Sequence, residues 1–144
     1  MPEDDLYREI ILEHASHPHH HGTVTSATHT TEGRNPVCGD EIALSWNEKD
    51  GKVSDIAFDG TGCSISQAAA SILCDSVIGL PTSQALACAR SFRAMLVEGT
   101  APEDDMSDMA ALQGVQAYPA RVKCALLAWN LLAESLEAEE QSHD

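Results

Sequence analysis

Residues 41–66 read EIALSWNEKDGKVSDIAFDGTGCSIS, and the changes of period within them decide the architecture. Ile42, Leu44 and Trp46 alternate with Glu41, Ala43 and Ser45, the period-2 pattern of a strand with one face buried. Ile56 and Phe58 alternate in the same way with Asp55, Ala57 and Asp59. The two runs form a hairpin around Asp50-Gly51. A two-residue turn would set Leu44 opposite Ala57 and put the apolar sets on opposite faces. A three-residue Lys49-Asp50-Gly51 loop pairs Leu44 with Ile56 and Ile42 with Phe58, and gives Gly51 the left-handed position. The three-residue loop is the expectation. After Gly60-Thr61-Gly62 the period becomes helical: Ile65, Ala69, Ile72, Leu73 and Val77 share one side. Ser64 or Ser66 serves as N-cap, and Gly79-Leu80-Pro81 stops the helix.

Helical signals continue on both sides of this stretch. A third helix opens at Thr82 or Ser83 and carries Ala85, Cys88, Phe92, Met95 and Leu96 up to Gly99. The acidic run Pro102–Asp108 reads as a surface loop or helix entry, and residues 108–116 as a short helix. Pro119 starts a long last helix with Val122, Ala125, Trp129, Leu132 and Leu136 as its stripe. The acidic tail from Glu137 to Asp144 is expected to fray. Upstream, Pro2-Glu3-Asp4-Asp5 suits a first turn, followed by the stripe Leu6, Tyr7, Ile10, Ile11 and His14 and a stop at Pro18 and Gly22. Residues 19–37 read as an ordered polar loop. No repeat or linker divides the chain, so residues 1–144 are expected to form a single domain.

Composition narrows the function. Eight Lys and Arg against 23 Asp and Glu give a net charge of −15, which excludes duplex nucleic acid and anionic membrane as main partners. No apolar run approaches the ~20 residues of a membrane helix. Five cysteines, an odd count without a secretion signal, argue against a disulfide framework and for a cytoplasmic chain with reduced thiols.

Three of the cysteines sit at element boundaries in settings that promote ionisation. Cys38 lies in Asn35-Pro36-Val37-Cys38-Gly39-Asp40, with a carboxylate two residues away. Cys63 opens the second helix, where free N–H groups favour a thiolate. Cys124 follows Arg121 and Lys123, two of the few basic side chains. With Asp40 they supply three sulfurs and one oxygen, a set suited to Zn²⁺ or to an iron–sulfur cluster with one hard ligand. On spacing alone, three ordinary buried thiols remain the plain alternative, because no Cys-x-x-Cys pair is present. Cys74 lies roughly 16 Å along the helix from Cys63, too far to share its metal. Cys74 and Cys88 read as core or half-buried thiols. His14, His17, His19, His20 and His21 cluster near the N-terminus and imply adventitious divalent-metal affinity, with no dedicated site expected there.

Taken together, Leu6-Tyr7-Arg8 with Ile10 and His14, Asn35–Asp40, Gly60–Ser66, and Ala111–Val115 running into Pro119–Cys124 and Trp129 resemble the NifU/IscU-type iron–sulfur assembly proteins, most closely the SufU branch. The resemblance spans about residues 6–130. It implies an α+β fold, a small antiparallel β-sheet with helices packed on one face. It places the family's metal ligands on Cys38, Asp40, Cys63 and Cys124. Scaffolds of the IscU type have a His before the last Cys; Lys123 stands here, as in SufU. The SufU branch implies a zinc-dependent sulfurtransferase. Its partner is a PLP-dependent cysteine desulfurase of the SufS type, and it passes sulfur to downstream SUF cluster assembly proteins. Cys38 is then the sulfur acceptor, freed when a desulfurase His replaces it on zinc, and Arg121 offers charge support. The alternative is an IscU-like scaffold for a labile [2Fe–2S] cluster; a structural zinc domain is a third reading.

Overall fold

The computed structural model describes residues 2–101 and 108–142, with side chains described for residues 6–101 and 108–139. The order is α1 (Pro2–Ser16), β1 (His29–Asn35), β2 (Asp40–Lys49), β3 (Lys52–Thr61), α2 (Ser64–Val77), α3 (Thr82–Val97), a 3₁₀ segment (Asp108–Ala117) and α4 (Pro119–Ser142). The strands form one antiparallel sheet in the order β1-β2-β3. Ile42, Leu44, Trp46, Ile56 and Phe58 point from it into a core shared with α2, α3 and α4, so the fold is α+β as expected.

The hairpin has the expected face but a different register. Leu44 pairs with Phe58, Trp46 with Ile56, and Ile42 with Gly60. The turn is the two-residue Asp50-Gly51, both at positive φ (55° and 77°), with Lys49 opposite Lys52. A bulge at Ser54 restores the parity that this turn alone would lose. The register shifts between Asn47 and Glu48, and the Ser54 hydroxyl donates to the Asn47 carbonyl at 3.2 Å.

Residues 19–37 hold a strand where a loop was expected. β1 is polar because it is an edge strand with one face in water. Its inward face is nearly bare at Gly33, where an added Cβ would lie 2.9 Å from Leu131 Cδ2 of α4. The preceding segment seals the opposite edge. Phe58 N donates to the His20 carbonyl (3.0 Å) and Gly22 N to the Phe58 carbonyl (2.7 Å).

α2 supplies the small-residue side of the core. Ala68, Ala69, Ala70 and Ser71 are wholly buried, which lets α1 and α4 approach closely. The Trp129 indole of α4 donates to the Ala69 carbonyl at 3.0 Å and stacks on Phe92 with centroids 4.1 Å apart. Of the expected α1 stripe, His14 is buried and Leu6 is exposed. The residue at the N-cap of α2 is Cys63, not a serine, and Pro81 caps α3. α4 remains helical through Ser142, well into the acidic tail. The acidic run 102–107, and residues 143–144 of the tail, lie outside the described residues.

Candidate metal centre

The inward face of β2 begins before its apolar residues. Strand parity puts Asp40 on the same side as Ile42, Leu44 and Trp46, so its carboxylate is driven to the buried end of the sheet with no exposed surface. Asn35, its cross-strand partner on β1, is also buried. Between them, Pro36–Gly39 turn back. Gly39 N and Cys38 N donate to the Asn35 carbonyl (2.8 and 3.3 Å), Val37 N to Asn35 Oδ1 (3.3 Å), and Gly39 takes φ 75°. The turn leaves Cys38 exposed.

Two helix starts close the site. At the start of α2, Cys63 N donates to Asp40 Oδ1 at 2.9 Å. The Ser66 hydroxyl lies within reach of that same oxygen (3.2 Å) and of the Cys63 carbonyl (3.0 Å). Gly62 makes this possible: a Cβ there would stand 2.6 Å from Asp40 Oδ1 and closer still to Ser66 Oγ. From the second turn of α4, the buried Cys124 brings its sulfur to 2.9 Å from that of Cys38. Asn35 Nδ2 sits 3.5 Å from Asp40 Oδ2 and 3.7 Å from Cys124 Sγ.

The ligating atoms of Cys38, Asp40 and Cys124 thus lie within 4.8 Å of one another. The Cys63 sulfur stands outside that mutual set, although its thiol interacts with both Asp40 and Cys124. Arg121 and Lys123 are exposed on the first turns of α4, and among the described residues no ion pair engages either. Cys74 is buried in the core, and Cys88 lies 3.5 Å from Met109 Sδ. Asn35 and Ser66 organise the site without having been read as part of it. Their signal was an Asx residue opening the Pro-Val-Cys-Gly turn and a hydroxyl three residues into a helix.

The electrostatics differ from the expectation at Cys124. Burial pushes its thiol up, and contacts with Cys38, Asp40 and Cys63 push it further. Its basic neighbours do not oppose this because their side chains are in water. At Asp40, burial acts to raise the pKa, yet the Cys63 backbone N–H and then the Cys124, Ser66 and Cys63 side chains outweigh it. The carboxyl is held below its ordinary value. An ionised buried carboxylate beside these sulfurs, with no basic group in contact among the described residues, fits a borderline divalent cation. Three sulfurs and one oxygen are a tetrahedral zinc set or an iron–sulfur set with one exchangeable ligand.

Comparison with known proteins places the chain among relatives of one family. Residues 6–125 match the NifU-like N terminal domain. The chain is 38% identical over 133 residues to the iron–sulfur cluster assembly scaffold protein IscU of Streptococcus pyogenes serotype M1 (92% of this chain, 83% of that one). It is 37% identical over 139 residues to the zinc-dependent sulfurtransferase SufU of Bacillus subtilis (95% and 93%). The crystal structure of the N-terminal part of a NifU-like protein from Brucella abortus superposes with a TM-score of 0.85 at 28% identity, covering 96% of each chain. With a matched domain across most of its length and a buried Asp40 among converging thiols, the chain belongs to the NifU/IscU family.

Proposed function

We propose that this chain is a zinc-dependent sulfur acceptor in iron–sulfur cluster assembly. It takes persulfide sulfur from a PLP-dependent cysteine desulfurase of the SufS type and passes it to SUF assembly proteins. Cys38, Asp40, Cys63 and Cys124 hold the zinc, and Cys38 receives the sulfur. The observation that carries this reading is the contrast in burial. Cys38 is exposed on a turn fastened by backbone bonds to Asn35, whereas Asp40 and Cys124 are buried in a sheet end and a helix.

Bound zinc supplies charge that keeps the thiols deprotonated, without redox chemistry of its own. The residues do the rest. The Cys38 thiolate attacks the terminal sulfur of the desulfurase persulfide. The S–S bond breaks, its electron pair leaves with the desulfurase cysteine as thiolate, and the transferred sulfur keeps its proton as the Cys38 persulfide. No external oxidant or reductant is consumed. Asp40, fixed by Cys63 N–H, Ser66 and Asn35, holds its oxygens in place while Cys38 moves. Arg121 offers positive charge at the mouth. Val37 (66% exposed) and Tyr118 (64% exposed) present apolar surface beside it, suited to a docked protein.

The test is cysteine turnover by a SufS-type desulfurase with and without the chain. Stimulation by the wild type and its loss in Cys38→Ala are expected; equal stimulation by both would refute the assignment. A second reading, a scaffold for a labile [2Fe–2S] cluster, is favoured by the name of the Streptococcus relative and uses the same four residues. Protein purified without oxygen separates the two. Stoichiometric zinc without a visible band supports sulfur transfer; iron, sulfide and a brown colour support the scaffold.

A further inference from the structure

We infer that the chain carries a second divalent-metal site, made of nitrogen and oxygen ligands and separate from the cysteine centre. It lies where α1, the segment after it and α2 meet. One ligating atom from each of His14, His19 and Asp75 falls within 4.8 Å of the others. The His14 and His19 rings are 4.5 Å apart. His20 adds a third imidazole: its Nε2 donates to Asp75 Oδ1 at 3.1 Å and His19 Nδ1 donates to the other oxygen, Oδ2, at 2.5 Å, hydrogens that a bound ion would replace. Two consecutive imidazoles reach one carboxylate with His20 at φ 60°, a conformation uncommon outside glycine.

The hydrogen-bond inventory assigns the ligand atom of the buried member. His14 Nε2 is 2.7 Å from Asp108 Oδ2, and an ionised carboxylate only accepts, so Nε2 carries the hydrogen. Ser71 Oγ accepts from His19 N (2.8 Å) and keeps its own proton to donate to His14 Nδ1 (2.7 Å). Nδ1 therefore holds the lone pair, on the side where Ser71 and Asp75 lie one helical turn apart; in the metal-free chain that lone pair accepts the Ser71 hydroxyl, and an ion bound there displaces this hydrogen bond. A carboxylate behind a ligating imidazole is the outer-shell arrangement that orients metal-binding histidines. His14 is buried (2% exposed) while His19 and Asp75 are partly exposed (42% and 34%), so the site has a fixed floor and an open mouth. Two or three imidazoles with one carboxylate suit a borderline first-row ion such as Zn²⁺, Co²⁺ or Ni²⁺. Asp75 lies twelve residues along α2 from Cys63, about 18 Å, so no ion is shared between the sites.

The test uses the full chain loaded with one equivalent of zinc, which the cysteine centre takes, and titrated with Co²⁺, read by calorimetry and absorbance. One further equivalent is expected, giving weak visible d–d bands and no near-ultraviolet sulfur-to-cobalt band. His19→Ala and Asp75→Ala, both at the open mouth, should each weaken Co²⁺ binding by at least about tenfold. His17→Ala, a residue 77% exposed and, among the described residues, ion-paired with Glu13, should leave binding unchanged. No further equivalent, a sulfur band, or equal weakening by His17→Ala and His19→Ala would each overturn the site; the last means diffuse affinity of a histidine-rich segment.

Discussion

Gly62→Ala tests whether the Asp40 cradle holds the site together. Gly62 has no positive φ, so alanine fits its backbone. That alone would stabilise by about 0.4–1 kcal/mol through the unfolded chain. The added methyl, however, would lie 2.6 Å from Asp40 Oδ1, 3.2 Å from Asp40 Cβ, and closer still to Ser66 Oγ. Asp40 and Ser66 are 0% and 1% exposed, so neither can swing into water. Overpacking at such a place costs about 1–3 kcal/mol. Moving the carboxylate off Cys63 N–H forfeits a hydrogen bond to a charged group, about 1.5–3 kcal/mol. The net is a loss of about 2–5 kcal/mol, and at ~3 °C per kcal/mol for a chain of this size Tm should fall by about 6–15 °C. Gly114→Ala is the control: among the described residues nothing lies within 4 Å of its Cβ and its φ is not positive, so it should be neutral or slightly stabilising. Thermal unfolding of the metal-free chain gives the stability term, and competition with a chromophoric chelator gives zinc affinity, expected to weaken at least about tenfold in Gly62→Ala. A Gly62→Ala chain that melts within 1–2 °C of wild type (about half a kcal/mol) and holds zinc as tightly would refute the reasoning.

Zinc affinity should rise with pH. Burial and neighbouring acids raise the Cys124 thiol, so a proton must leave it on binding, and each such proton contributes about tenfold in affinity per pH unit. Chelator competition between pH 6 and 8 measures the slope; a flat profile would exclude a buried protonated thiol from the ligand set. Asp40 has the opposite sign. Its carboxyl is held below the ordinary 3.8 in the fold, so its contribution to stability is complete above that value and is lost as pH falls through the folded pKa. Metal-free Asp40→Asn should therefore be less stable than wild type at pH 7, by about 1.5–3 kcal/mol, with the gap closing below about pH 4. Denaturant unfolding at pH 7 and pH 3 gives both values, and a gap independent of pH would contradict the role assigned to the carboxylate.

Parity was legible in the sequence; register and edge were not. Leu44, Trp46, Ile56 and Phe58 announce a hairpin with one buried face, and the same alternation carried back two residues buries Asp40. The pairing slid by two because Asp50-Gly51 is tight enough to turn alone and Ser54 bulges to compensate, a choice that apolar spacing cannot distinguish. His29–Asn35 carries no strand signal, since its inward side is His29, Thr31, Asn35 and a glycine fitted to Leu131, with no aliphatic residue among them. Cys38, Asp40 and Cys124, whose ligating atoms converge, were legible as candidates because each sits at an element boundary, as was Cys63, whose sulfur stands outside that mutual set. The ionisation of Cys124 was not, since neighbours in sequence point into water while neighbours in space are acids. The histidine cluster was visible, but its partners Ser71, Asp75 and Asp108 lie 52 to 94 residues away.

The proposed division of labour among the sulfurs follows from where the fold is rigid. Cys124 sits on a helix whose inner face includes Ala125, Ala128, Trp129 and Leu132, each no more than 1% exposed, so displacing it means displacing α4. Cys63 is the N-cap of α2, whose next turns are packed on all sides, and its own N–H is engaged by Asp40. Cys38 has neither constraint. Its turn is fastened by three hydrogen bonds to one residue, Asn35, and among the described residues nothing lies within 4 Å of a Cβ at Gly39, where the chain can pivot. Freeing Cys38 therefore costs a loop rearrangement, while freeing either of the others costs core packing, about 2–5 kcal/mol for even one large buried side chain. Asn35 touches the turn, the carboxylate and Cys124 together, so a partner that pulls Cys38 outward works against a residue that simultaneously keeps Asp40 and Cys124 where they are.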